Sequence, residues 1–324
     1  MAEIRNLSEI EPKVFSKKGL FNEEALSQEI KDVDVIVTDG PAYRFTGKIL
    51  KAARRLKLIA IYGPASGAEH VNVDVATNEG VIVIHTPFPT AIAVHAIGLM
   101  ISLAKKIVDA NNSLKSGLWE REEFCGSTLD GKTLGLIGCG QIGTKVAEIA
   151  NALDMKVLIY DPYVEPEKLK RAGKSIDLET LLKEADFISI HVPLTAETNK
   201  MISEKELDMM KKSAYLINTS RGSVINQQAL CKALIDCRIA GAGLDVFDAE
   251  PVKPDDPLLK LPNVVVTPHI AGYEIERYRR QSMIIAEEIS RVLAGEMPRN
   301  LANPEVLRKP HRLSSWLERG EPLA

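Results

Sequence analysis

Nine short apolar runs punctuate the chain. They are VDVIV (33–37), KLIAI (57–61), VIVI (81–84), TLGLI (133–137), KVLIY (156–160), DFISI (186–190), AYLI (214–217), GAGLDV (241–246) and VVV (264–266). They lack the apolar–polar alternation of a strand with one wet face, and so predict parallel strands covered by helices on both sides. Strands alternating with helical stretches predict βαβ units, right-handed crossovers and an α/β fold with a doubly wound sheet. Two long helices are expected, over about 91–113 and about 274–293. The second carries Ile275, Tyr278, Ile285, Ile289 and Val292 at helical spacing, with Gly295 as its stop. Six of the nine runs fall between these helices. The organisation predicted is a continuous central domain over 102–292, inserted into a smaller α/β domain built from 1–101 and 293–324. The tail carries Pro304, Pro310 and Pro322 among many charges and is expected to wrap the surface.

Composition narrows the partners. Forty-one basic residues nearly balance forty-four acidic ones, a net charge of -3, so no general field draws the chain to nucleic acid or an anionic membrane. The longest apolar stretch free of proline and formal charge, Ala91 to Ala104, is shorter than the roughly 20 residues that span a bilayer. The first residues, MAEIRNLSEI, hold no apolar signal core. The cysteines (125, 139, 231 and 237) form no CxxC pair, and no His cluster has metal-ligand spacing. A reducing, cytoplasmic setting and no bound metal are expected.

Chemistry first appears after the fourth run. TLGLI leads directly into Gly138-Cys139-Gly140-Gln141-Ile142-Gly143, and a helical stretch follows. In this setting the first glycine permits a tight turn, the second lets the backbone approach a pyrophosphate, and the third lets helix and strand pack closely. The helix terminus then offers free N–H groups to phosphates. Eighteen residues past Gly143, Asp161 ends the next strand, where a carboxylate accepts hydrogen bonds from both ribose hydroxyls and repels a 2′-phosphate. The pattern predicts a dinucleotide site that favours NAD over NADP. Cys139 reads as a small filler of the loop.

Later strand ends carry Asn218-Thr219-Ser220-Arg221-Gly222, the run Leu244 to Pro251, and Val266 to Gly272. Ligands of open α/β sheets bind at such ends. Arg221 there is either a planar fork for a carboxylate or a surface Arg capping a strand. Of the six histidines, His269 follows the last strand and precedes a helix, and its proton is available near neutral pH for carbonyl reduction. A carboxylate such as Glu250 would orient its ring and raise its pKa.

Together GLIGCGQIG, DPY, ADFISIHVPLT, INTSRGSVI, GLDVFDAEP and TPHIAG, in this order, resemble the D-isomer-specific 2-hydroxyacid dehydrogenases. This NAD-dependent family includes D-lactate, glyoxylate/hydroxypyruvate and D-3-phosphoglycerate enzymes. The resemblance covers about residues 30–300. It implies a Rossmann-type domain inserted in a flavodoxin-like one, a homodimer, and a small 2-keto or 2-hydroxy acid as substrate. Arg221 would bind the substrate carboxylate, His269 would give the proton, and Glu250 would pair with His269. Gln141 and Ile142 would face the pyrophosphate and Asp161 the adenosine ribose. His191, Val192 and Pro193 would line the adenosine side, with Thr198 near the phosphates. Thr219, Ser220, Arg221, Asp245 and the run His269 to Gly272 would surround the nicotinamide. Asp245 would bond the carboxamide; the alternative is a buried Asp capping a turn.

The N-terminal third departs from the family pattern. Its substrate loop reads Gly63-Pro64-Ala65-Ser66-Gly67-Ala68-Glu69-His70, where the N–H groups of Ser66 and Gly67 would hold a carboxylate. Phosphoglycerate enzymes tend to have Arg where Pro64 stands, which counts against a phosphorylated substrate. The segment 85–96 also departs from the family's, which bears on the domain hinge and the dimer-forming helix. Two other readings stay open: a D-3-phosphoglycerate dehydrogenase core without a regulatory domain, and an NAD(H)-sensing corepressor-like binding protein.

Overall fold

The computed structural model describes residues 22–38, 44–63, 70–86, 88–294 and 296–308. Ser66 and Gly67, the expected carboxylate cradle, and Gly295, the expected helix stop, lie outside them. The chain divides into two compact units, one continuous from Pro89 to Tyr273, the other made of the described residues up to Phe88 and from Glu274 onward.

The smaller unit alternates α1 (Glu23–Glu29), β1 (Val35–Thr38), α2 (Gly47–Ala52), β2 (Leu58–Tyr62), α3 (Val73–Asn78) and β3 (Ile82–Thr86). Asn22, Thr46 and Asn72 cap the three helices, each side chain accepting the N–H three residues on. The strands lie parallel in the order β1-β2-β3. One face of this sheet packs on Leu26, Ile49 and Leu50, the other on Ile285, Ile289 and Val292.

The larger unit opens with α4 (Pro89–Ala104) and α5 (Ile107–Lys115), followed by β4 (Thr133–Ile137), α6 (Gln141–Ala152), β5 (Lys156–Tyr160) and α7 (Pro166–Leu169). It continues with β6 (Lys174–Ser175), α8 (Leu178–Glu184), β7 (Phe187–Ile190), α9 (Glu204–Met209), β8 (Tyr215–Asn218), α10 (Gln227–Ile235), β9 (Gly241–Leu244) and β10 (Val264–Val266). Seven strands make one parallel sheet in the order β10-β9-β8-β7-β4-β5-β6. The chain leaves β4 in one direction and returns to β7 on its other side, so the order reverses between β4 and β7. Apolar clusters cover both faces, Leu181, Leu216 and Leu230 on one, Met100, Val146 and Phe187 on the other. This two-sided burial is why the strands read as continuous apolar runs.

All nine expected strands form. The tenth, β6, is two residues long and too short to show in the apolar pattern. The first long helix is broken rather than continuous over 91–113. Lys106 takes φ 51°, the two halves meet at 63°, and the Ala104 carbonyl accepts from Ser127 N at 2.7 Å. Beyond the break α5 has no buried residue, so only α4 keeps the apolar character that predicted one helix.

The unit borders fall at 88/89 and 273/274, where the sequence reading puts them at 101/102 and 292/293. Packing is the reason. Leu99 of α4 lies on β9, where a Cβ added to Gly243 would sit 3.0 Å from Leu99 Cβ. The final helix α11 (Ile275–Leu293) instead buries Ile285, Ile289 and Val292 on the small sheet, each burial contributing roughly 1.5–3 kcal/mol. Ile275, expected on that face, is 87% exposed. Among the described residues no single helix is long and apolar enough to cross a membrane.

Candidate active site

Parallel strands send all their carboxyl ends to one edge, and in the larger unit that edge carries the chemistry. β4 delivers the glycine loop at the point where strand order reverses. Gly138 has φ 90°, a conformation that favours glycine, and its N–H donates to Tyr160 O at 2.9 Å. A Cβ on Gly138 would come within 2.8 Å of Val192 Cγ1 and 3.0 Å of the His191 carbonyl, and one on Gly143 would strike the Gly138 carbonyl. A Cβ on Gly140 would meet nothing within 4 Å. Two glycines are thus required by the protein's own packing, while the third leaves open space at the N-terminus of α6. Gln141 and Ile142 form the first turn of that helix.

At the end of β5, Asp161 Oδ2 accepts from Cys139 N at 2.8 Å and Oδ1 from Tyr163 N at 3.0 Å. The carboxylate is therefore fixed against the glycine loop. Burial pushes the Cys139 thiol above its ordinary value, and its Sγ lies 3.6 Å from Thr144 Oγ1. A buried thiol with a raised pKa is an inert filler.

His191 follows β7. Its Nε2 meets Ser189 Oγ at 2.8 Å, its Nδ1 is buried without a partner, and burial lowers its pKa to about 4. The ring is neutral at physiological pH, so it sets no positive charge at the reversal point. Thr198 Oγ1 donates to the Pro193 carbonyl at 2.6 Å, folding the loop that carries Val192 and Pro193.

The loops after β8, β9 and β10 converge beside it. Asn218 organises the first, its Oδ1 accepting from Ser220 N and Oγ and its Nδ2 donating to the Arg221 carbonyl at 2.9 Å. A Cβ on Gly222 would collide with the Phe247 carbonyl, so glycine lets the Arg221 loop touch the Glu250 loop. Thr219 Oγ1 is buried and has no partner.

Glu250 and His269 form the centre of this edge. His269 Nδ1 meets Glu250 Oε2 at 2.6 Å, and Glu250 Oε1 accepts from Phe247 N at 3.0 Å. That pairing leaves His269 Nε2 as the nitrogen available to a reactant. The Glu250 hydrogen bond raises the His269 pKa, and it outweighs burial and the charge of Arg221, which lower it. Burial alone would raise the Glu250 carboxyl, but His269, the Phe247 N–H and Arg221 together hold it below its ordinary value. Arg221 thus lies near enough for its charge to act on both.

His269 has φ 53° and its N–H donates to the Asp245 backbone carbonyl at 2.8 Å. Asp245 is fully buried. Its carboxylate accepts from Thr267 Oγ1 at 2.5 Å, Ile270 N at 2.8 Å and Ala271 N at 2.8 Å. Through these bonds Asp245 builds the loop that runs from His269 to Gly272.

The NAD-binding-domain model of the D-isomer specific 2-hydroxyacid dehydrogenases matches residues 97–271, more than half the chain. The chain belongs to that family. Over 296 residues this dehydrogenase is 40% identical to a glyoxylate reductase of Thermofilum pendens, covering 88% of this chain and 86% of the relative. It is also 40% identical over 290 residues to a D-3-phosphoglycerate dehydrogenase of Archaeoglobus fulgidus, covering 89% of this chain. Of that longer relative it spans about half, 54%. A D-lactate dehydrogenase of Aquifex aeolicus, solved with NAD and lactic acid, superimposes with TM-score 0.73 at 34% identity over 83% of this chain and 86% of that one.

The dehydrogenase is an NAD-dependent oxidoreductase, and its carboxyl edge fits the cofactor. Gly140 leaves open space at the N-terminus of α6, where a pyrophosphate would lie, and Asp161, fixed against the glycine loop, would meet the ribose. The orphaned hydroxyl of Thr219 and Nδ1 of His191 are buried polar atoms of the kind that a bound ligand satisfies. Every candidate residue of the larger unit lies on this one edge. Sequence reasoning gave no role to Asn218, Gly222 or Thr267. Their signal was position alone: Asn218 and Gly222 adjoin residues assigned to chemistry, and Thr267 lies two residues before His269.

Proposed function

We propose that the chain interconverts a small, unphosphorylated 2-keto acid and its D-2-hydroxy acid. The observation that carries this reading is the His269–Glu250 pair beside Arg221, on the same edge as the glycine loop. When bound, the cofactor supplies or accepts the hydride at C2. Arg221 offers its guanidinium fork to the substrate carboxylate and so orients the carbonyl. His269 Nε2 donates a proton to the carbonyl oxygen as C2 gains the hydride; in oxidation the same nitrogen takes the proton back. Glu250 holds the ring by Nδ1 and balances the imidazolium charge.

Reduction needs protonated His269. Its raised pKa keeps that form to higher pH than an ordinary His, and reduction falls as pH rises through the raised value. Oxidation needs the neutral ring and gains over the same range. Thr219, Ser220 and the run to Gly272 are proposed to border the nicotinamide, and Gly138 to Gly143, Asp161, His191 to Pro193 and Thr198 the rest of NAD. Ser66 and Gly67 remain the proposed carboxylate cradle of the smaller unit.

The test is a substrate panel read by NADH absorbance. Glyoxylate, hydroxypyruvate and pyruvate should include at least one good substrate, with 3-phosphohydroxypyruvate poorer. NADPH should support turnover far less than NADH, because Asp161 meets its 2′-phosphate. Tight NADH binding with no turnover of any member would favour the sensing protein.

A homodimer belongs to the same proposal. Ile107, Val108, Leu114, Leu118 and Trp119 form an exposed apolar strip on α5 and the turn after it, with Trp119 at 78% exposure. Trp119→Glu with Leu118→Glu should shift the sedimentation of the particle from dimer to monomer. A species that stays dimeric would clear the strip of that role. A reducing cytoplasmic setting is supported by four unpaired cysteines.

A further inference from the structure

Asp245 is wholly buried, and its carboxylate is occupied by the loop that carries His269. That carboxylate bonds to the backbone of the loop beyond β10 and to Thr267. One contact continues outward. His95, on the first turns of α4, places Nε2 2.9 Å from Thr267 Oγ1 and 3.6 Å from Asp245 Oδ1. A carboxylate only accepts, so Thr267 spends its single hydroxyl proton on Asp245. Toward His95 the Thr267 oxygen can then only accept, and His95 Nε2 must carry a proton and donate it. Donation runs from His95 to Thr267 to Asp245, whose carboxylate also accepts from the N–H groups of residues 270 and 271.

That chain ends on a strained element. His269 holds φ 53°, a left-handed conformation that a residue with a Cβ keeps only where its surroundings enforce it. Its own N–H is fixed by the Asp245 carbonyl at 2.8 Å and the next two by the Asp245 carboxylate. We propose that His95 is a positioning residue for the reaction: through Thr267 it orients the Asp245 carboxylate, which holds His269 in its left-handed turn with Nδ1 on Glu250. This rests on the reading of His269 as the proton donor. Neither end of α4 nor the cofactor loop is involved, so the position is a fourth contributor to the site, after the arginine, glutamate and histidine themselves.

The test compares His95→Ala and His95→Gln with the unchanged protein. Each is corrected for the fraction that binds NADH, so that lost folding does not count as lost rate. A displacement of the His269 ring by about 1 Å costs on the order of 10²-fold, so His95→Ala should lose about 10- to 100-fold in kcat with NADH affinity unchanged. The groups that face His269 are Glu250, Asp245 and Arg221. A ring that slips from Glu250 loses its largest upward influence, so the pH at which reduction fails should fall. His95→Gln, which keeps an N–H donor, should recover most of both; Thr267→Val, which cannot relay the bond, should resemble His95→Ala. The proposal is overturned if His95→Ala, or His95→Gln should the alanine form not fold, keeps the wild-type rate per NADH-binding molecule and the wild-type pH limb. It is equally overturned if Gln and Ala lose the same. His269→Gln retaining full turnover would instead remove the reading of His269 on which this one stands.

Discussion

His269→Ala should lower kcat for 2-keto acid reduction by about 10²- to 10⁴-fold while NADH still binds, the range a positioned general acid contributes. The geometry argues for the upper part. The ring is held by Glu250 at Nδ1 and by the Asp245 carbonyl at its own N–H, so only Nε2 faces reactant. Without the imidazole, water would have to deliver the proton. Binding should survive because the glycine loop, α6 and Asp161 are built by contacts that do not include His269. Stopped-flow or steady-state NADH oxidation gives the rate, and fluorescence titration gives the affinity. Unchanged turnover would take His269 out of the chemistry.

Arg221→Gln should cost about 10²- to 10³-fold in kcat/KM, with most of the loss in KM for the keto acid. A charge-assisted hydrogen bond contributes about 1.5–3 kcal/mol, and the guanidinium fork makes two to a carboxylate. Arg221→Lys should fall between, since it keeps the charge and loses the planar fork. A second effect has a definite sign. Arg221 lowers the His269 pKa, so its removal should move the alkaline limb of reduction upward, opposite to the shift from losing Glu250. A glutamine variant with wild-type KM would make Arg221 the strand-capping surface residue.

Much of this was legible in the sequence for a physical reason. A parallel sheet buried on both faces writes each strand as an unbroken apolar run, and all nine such runs became strands. The same topology puts every strand's carboxyl end on one edge, so motifs spread from Gly138 to Gly272 converge without any contact being known. What the sequence hid depended on side-chain partners. Asp245 reads as a polar strand-end residue open to a ligand, and only its three buried donors reveal a loop-builder. His95 sits in an apolar helix 150 residues from Asp245, and nothing in that helix points to Thr267. The apolar pattern also ran through Lys105 and Lys106, concealing the break that packing of Ser127 on Ala104 produces. Unit borders were displaced for a related reason, because helix ends are visible in sequence and helix partners are not.

The proposed reaction delivers hydride to one defined face of C2 of a 2-keto acid and a proton to its carbonyl oxygen. The most direct measurement incubates the protein with NADH and hydroxypyruvate or pyruvate and resolves the product by chiral chromatography. NADH should be consumed in equal amount, with D-glycerate or D-lactate as the single enantiomer. An L product, a racemate, or bound NADH that is never consumed would contradict it.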